Sequence, residues 1–196
     1  MEEPENRELV KIILERIGAR GRIPFAEFMD LALYHPREGY YQSSREKIGP
    51  GGDYYTSPHI HPIFGALLSR QLHQMWEILD RPSPFNIIEM GAGKGLLCSD
   101  ILAYCQKQWP DFYQNLTYLI AEISPALQDK QKFLLSRFGA GGKVEWVLPD
   151  ALMNRTRPFT GCFLSNELID AFPVHLVQQG EGRLWEIFVT AREGSF

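Results

Sequence analysis

The run Glu89-Met90-Gly91-Ala92-Gly93-Lys94-Gly95 sets an acid and three alternating glycines directly after the apolar pair Ile87-Ile88. Glycine lets the main chain approach a ligand with no Cβ in the way, and a helix beginning there presents unpaired N–H groups. That is the chemistry of a strand-to-helix turn closing over a nucleoside. A second apolar run, Tyr118-Leu119-Ile120-Ala121, ends in Glu122, whose carboxylate can accept hydrogen bonds from both hydroxyls of a ribose. A third candidate strand, residues 143–147, is followed by Asp150-Ala151. A fourth, Cys162-Phe163-Leu164-Ser165, runs into Asn166, Glu167 and Asp170, polar groups suited to orienting a second substrate. One acid at a strand end is more often a helix cap or a solvated side chain than a ligand, but three in order after three strands argue for a site.

Three nucleotide-binding spacings compete for the turn. A phosphate-cradling P-loop needs Ser or Thr after Gly-Lys and a glycine well upstream; here Gly95 follows Lys94 and Ile88 holds the upstream place, which disfavours ATP and GTP. The dinucleotide fingerprint G-x-G-x-x-G requires its third glycine where this chain has Leu96, so NAD and FAD are disfavoured but open. The remaining pattern, E-x-G-x-G-x-G, resembles motif I of the class I S-adenosylmethionine-dependent methyltransferases. The resemblance implies that Glu89, Gly91, Ala92, Gly93 and Gly95 form the cofactor turn and that the glycines face the methionine half. It further implies that Glu122, with Ile123 beside it, holds the ribose, and that Asp150 and Ala151 read the adenine.

Elements that would position these residues follow from periodicity. Apolar residues at helical spacing predict helices over residues 8–17, 25–34 and 64–79, and another over 96–109. Residues 39–58 are too rich in glycine and proline for regular structure, and long irregular segments often line sites. Asp80-Arg81-Pro82-Ser83-Pro84 interrupts the helical pattern. The expectation is therefore two regions: 1–80, a helical and loop region covering the cofactor site, and 81–196, a Rossmann-like core. Beyond the joint, strands and helices alternate as in a parallel, doubly wound α/β sheet. Residues 176–179 and 184–190, joined around Gly180-Glu181-Gly182, predict a β-hairpin.

Composition narrows the class. With 196 residues, 44% of them hydrophobic, the chain can bury a substantial core, which excludes fibrous and disordered classes. A formal net charge of −4 without a dense Lys/Arg run speaks against nucleic acid as a partner. Cys98, Cys105 and Cys162 lack metal-ligand spacing and read as small core residues in a reducing compartment. The acidic start and the lack of a membrane-length apolar run predict a cytoplasmic protein away from membranes, with a homo-oligomer left open. His59 and His61 alternate near Asp53 but lack a third ligand, so no metal is expected. Tyr40, Tyr41, Tyr54 and Tyr55 form an aromatic cluster that would stack on an adenine or peptide, or pack beneath the loop.

Longer blocks carry a more specific resemblance: Ile23-Pro24-Phe25-Ala26-Glu27-Phe28-Met29, Ala32-Leu33-Tyr34-His35-Pro36-Arg37-Glu38-Gly39-Tyr40-Tyr41, Gly52-Asp53-Tyr54-Tyr55-Thr56-Ser57-Pro58, the glycine turn, and the segment from Ser165 to Val174. Together with the turn they resemble the MidA-like methyltransferases, whose mitochondrial relatives are complex I assembly factors that methylate an arginine of a partner subunit. The resemblance implies S-adenosyl-L-methionine as cofactor and a protein substrate carrying a target arginine. It implies Thr56, Ser57 and Pro58 as further cofactor-site residues, Thr56 and Ser57 helping to close the site. Asn166, Glu167 and Asp170 would be its catalytic residues, a carboxylate pairing the guanidinium. It also implies a mitochondrial location if the chain is a eukaryotic homologue without its transit peptide. Family members continue well beyond residue 196, so a core cut short at its C-terminus is expected. A fragment or shortened form that binds cofactor or client without transferring methyl groups is the alternative reading.

Overall fold

The computed structural model describes residues 6–42, 60–139, 141–154 and 158–196. Helix α1 (Arg7–Arg20) starts where the Asn6 side chain accepts from the Leu9 amide at 3.1 Å, and it ends at Gly21 in the left-handed conformation. Strand β1 (Ile23–Pro24) and helix α2 (Phe25–Tyr34) follow, and then a short 3-10 turn. Helix α3 (Ile63–Ile78) precedes strand β2 (Phe85–Met90). After β2 come α4 (Leu96–Gln108), α5 (Pro110–Asn115), β3 (Leu116–Ala121), α6 (Pro125–Leu134), α7 (Ser136–Gly139), β4 (Val144–Val147), α8 (Pro149–Met153) and β5 (Gly161–Ser165). Strands β6 (Val177–Gly180), β7 (Arg183–Glu186) and β8 (Phe188–Val189) complete the order.

Strands β2 to β5 form one sheet in the order β4-β3-β2-β5, parallel throughout. The chain moves outward through β3 and β4, then returns to the other side of β2, which makes the carboxyl end of β2 a topological switch point. Strands β2 and β3 are buried on both faces and read as near-continuous apolar runs, as parallel strands do. Helix α4 buries Leu97, Cys98, Ile101, Leu102 and Cys105, one stripe at helical spacing. The α/β class and the alternation after residue 84 agree with the expectation.

The division of the chain does not fall at residue 80. Two compact units form, one from residues 1–45 and 169–196 and the other from 46–168. The reason lies in what α3 buries: Leu72 and Trp76 join the sheet unit's core beside Phe85 and Phe112. The Trp76 indole also donates to the Pro82 carbonyl at 2.9 Å, so the proline joint is tied to α3 rather than separating it.

The other unit has its own core of Ile13, Ile17, Ile23 and Leu31, with Val189 packed against it. The predicted hairpin is present as β6 and β7, and Glu181 and Gly182 both take positive φ, 51° and 72°, the signature of a type I′ turn. Its second strand is shorter than expected. Residues 184–190 split at Ile187, and β8 pairs antiparallel with β1, Ile23 opposite Val189. Among the described residues no helix is long and apolar enough to cross a membrane.

Because Ile23 is fully buried at the heart of this unit, Ile23→Ala should cost about 2–4 kcal/mol through lost contacts and a cavity. Urea denaturation checks this, and a cost under 1 kcal/mol would refute the packing described.

Candidate cofactor-binding site

Strand register decides what can meet at the switch point. Met90 is opposite Ala121 on one side and Ser165 on the other, and Ala121 is opposite Val147. The four strands therefore end flush, and the next residues, Gly91, Glu122, Leu148 and Asn166, emerge in one row with neighbours about 4.8 Å apart.

At Gly91, Gly93 and Gly95 φ is 76°, 54° and 83°, the left-handed region in which an L side chain costs roughly 1–2 kcal/mol. A Cβ on Gly91 would lie 2.9 Å from Leu168 Cδ1. The Gly95 amide donates to the Ala92 carbonyl at 2.8 Å, closing the turn, and Gly95 is also the N-cap of α4. The main chain thus lies bare above the start of a helix that offers its first N–H groups.

Glu122 is nearly buried. Its Oε1 accepts from the Ser124 amide at 2.7 Å and its Oε2 from Gln131 Nε2 at 3.3 Å. Burial pushes its pKa up while those hydrogen bonds oppose the shift. A carboxylate offers about four lone-pair sites, so acceptor capacity remains for ribose hydroxyls. Beside it Ile123 is 60% exposed, and Leu148 just past β4 is 57% exposed, two apolar side chains along the row of strand ends. Asp150 and Ala151 lie in α8 and are both exposed.

Glu89 differs from its expected part. At 2% exposed, in a strand covered on both faces, its carboxyl accepts from Tyr118 Oη at 2.7 Å and is not open to a ligand. Burial raises its pKa to about 7, with the Tyr118 hydrogen bond opposing.

Asn166 is half-buried and Glu167 exposed just past β5, and Glu167 takes φ 51°. A non-glycine residue held there costs on the order of 1–3 kcal/mol, which is tolerated where the surroundings or a function demand it. Asp170 belongs to the other unit, in a 3-10 turn (Ile169–Ala171) where the Tyr34 hydroxyl donates to Ala171 O at 2.9 Å. Burial, then the charges of Tyr41, Asp30 and Asp170, raise the Tyr34 pKa. Thr56, Ser57 and Pro58 lie outside the described residues, as do Asp53, Tyr54, Tyr55 and His59. Among the described residues no group of three His, Cys, Asp or Glu side chains could hold a metal ion. The sequence reading missed Tyr118, Gln131, Trp146 and Leu148; of these only Leu148, an apolar residue closing a strand run, carried a local signal.

The row of strand ends, the bare turn and the acid after β3 have the form of a class I methyltransferase nucleoside site. A family model described as "Putative S-adenosyl-L-methionine-dependent methyltransferase" matches residues 67–196, and the chain belongs to that family. Its cofactor is S-adenosyl-L-methionine, and the cradle fits: positive-φ glycines leave the turn open, Glu122 keeps acceptor capacity, and Ile123 and Leu148 give an apolar flank.

The chain is 32% identical over 211 residues to the mitochondrial protein arginine methyltransferase NDUFAF7 homolog of Drosophila melanogaster, covering 96% of this chain and 47% of that protein. It is 35% identical over 200 residues to mitochondrial NDUFAF7 of Rattus norvegicus, covering 92% and 45%. The crystal structure of a COG1565 superfamily member from Burkholderia thailandensis, bound to S-adenosyl-homocysteine, superposes with a TM-score of 0.80 at 25% identity, covering 100% of this chain and 51% of that one. The chain spans about half the length of these relatives.

The Glu89 carboxyl has a folded pKa above its unfolded one. Its contribution to stability is complete below the ordinary carboxyl range and is lost as pH rises to about 7. Glu89→Gln keeps an acceptor for Tyr118 and removes the ionisation. Wild type should therefore lose about 3 kcal/mol relative to this variant between about pH 4 and pH 8. Urea titrations at both pH values measure the difference, and parallel curves would show that Glu89 ionises freely.

Proposed function

We propose that this chain forms the cofactor-binding part of an S-adenosylmethionine-dependent protein arginine N-methyltransferase that acts on a subunit of a respiratory complex I-type assembly. The observation that carries the reading is the flush register of β2 and β3, which sets the glycine turn beside Glu122. The mitochondrial relatives' names support the arginine acceptor. They also favour a mitochondrial location over the cytoplasmic one expected from the acidic start and the lack of a membrane-length apolar run.

Bound S-adenosylmethionine supplies a methyl group on a sulfonium, already a good leaving group. What the chain contributes is placement. Gly91, Gly93 and Gly95 let the main chain close on the methionine half, Glu122 holds the ribose, and Ile123 and Leu148 flank the adenine beside Asp150 and Ala151. Asn166 and Glu167, one strand away from the turn, orient the acceptor guanidinium, with Glu167 pairing it and taking up its proton. Thr56, Ser57 and Pro58 are proposed to help close the site. The partner is a protein with a target arginine; nucleic acid and membrane are not expected partners.

Wild type should bind S-adenosylhomocysteine in calorimetry, and Glu122→Ala should weaken that binding roughly 10- to 100-fold, the value of hydrogen bonds to a charged acceptor. Binding unchanged by the substitution would remove Glu122 from the site. Glu167→Gln should leave S-adenosylhomocysteine affinity within two-fold while lowering transfer of radiolabelled methyl groups to protein at least ten-fold. Full turnover by that variant would end its acceptor role. If wild type binds the cofactor but transfers nothing to mitochondrial protein extracts, the reading as a non-catalytic cofactor- or client-binding factor stands instead.

A further inference from the structure

Gln131 is completely buried, although it lies on an otherwise amphipathic helix with charged neighbours. Its amide meets three separate elements. Nε2 donates to the Gly93 carbonyl at 2.9 Å and to Glu122 Oε2 at 3.3 Å, and Oε1 accepts from the Trp146 indole at 2.9 Å. Its stem also lies under the turn, where a Cβ on Gly95 would approach Gln131 Cγ to 3.4 Å.

The orientation of this amide is dictated by its partners. An indole N–H only donates, so Oε1 must face Trp146, and both amide protons then point at two acceptors, a peptide carbonyl and a carboxylate. No other side chain of this length offers two protons on one side and an acceptor on the other. A carboxylate at position 131 would face two acceptors, and an apolar side chain would leave two acceptors and one donor unpaired in a buried place.

Resting on the cofactor reading above, we propose that Gln131 is a positioning residue that locks the turn carbonyl of Gly93 and the ribose carboxylate of Glu122 into one unit. Recognition of the methionine half and of the ribose is thereby coupled through this one amide. Trp146 holds the amide in the productive sense and acts through Gln131 alone.

The test is a set of S-adenosylhomocysteine titrations by calorimetry on wild type, Gln131→Met, Glu122→Ala, the double variant of these two, Trp146→Phe alone and combined with Gln131→Met, and Gln131→Glu. Gln131→Met should weaken binding roughly ten-fold. In the double variant the affinity should fall within about two-fold of Glu122→Ala alone, because residues of one network are not additive. Trp146→Phe should weaken binding in the wild-type background and have no effect once Gln131 is Met. Gln131→Glu should bind more tightly as pH falls from 8 to 5, where its carboxyl takes up a proton and can donate to one acceptor. Wild type should not show that gain.

Strictly additive losses, or a Gln131→Glu profile parallel to wild type, would overturn the positioning role. Should Gln131→Met not fold, the Trp146→Phe titration and the pH profile decide the matter by themselves. Wild type failing to bind S-adenosylhomocysteine overturns the cofactor reading and this inference together. Binding by wild type with additive variants overturns the inference alone.

Discussion

Side-by-side ending of the parallel strands governs the chemistry of this chain. A slip of one residue between β2 and β3 would turn every side chain of one strand to the other face and would move Glu122 out of line with the glycine turn. The register is held because both strands are buried on both faces, so a slipped pairing would mismatch the apolar neighbours along their whole length. Burying two apolar strands thus also aligns the row of strand ends.

Polar groups inside the sheet unit serve the same end. Tyr118 and Glu89 satisfy each other within the sheet, and Gln131 spans Gly93, Glu122 and Trp146 under the turn. Each is costly to bury without its partner. That cost makes the arrangement specific: other rotamers leave a donor or acceptor unpaired in an environment without water.

What the sequence disclosed and what it concealed divide along physical lines. The turn, the four sheet strands and the α/β alternation were legible because each depends on local pattern: apolar runs, an acid at the strand end, glycines where φ must be positive. Glu89 was read as facing a ligand because it adjoins the glycines, but β2 is covered on both faces and has no exposed side to present it. Gln131 was missed because a polar residue on a helix reads as solvated, and its burial depends on an indole in another strand. The pairing of β1 with β8 joins two-residue strands more than 160 positions apart, which no local pattern announces. Asp170 was grouped with Glu167 by closeness in sequence, whereas the boundary between the two compact units falls between Leu168 and Ile169.

The two cysteines of α4 give the molecule an internal clock. Cys98 and Cys105 are sealed against the sheet, and burial raises both thiols above their ordinary range, so neither forms a nucleophilic thiolate while the core is closed. Cys162, on the edge strand, is partly accessible. Burial raises the Cys162 thiol too, so access rather than thiolate character separates it from the sealed pair: alkylating reagents should reach Cys162 first, and Cys98 and Cys105 on local opening of the core. That second phase reports local opening of the helix that follows the glycine turn.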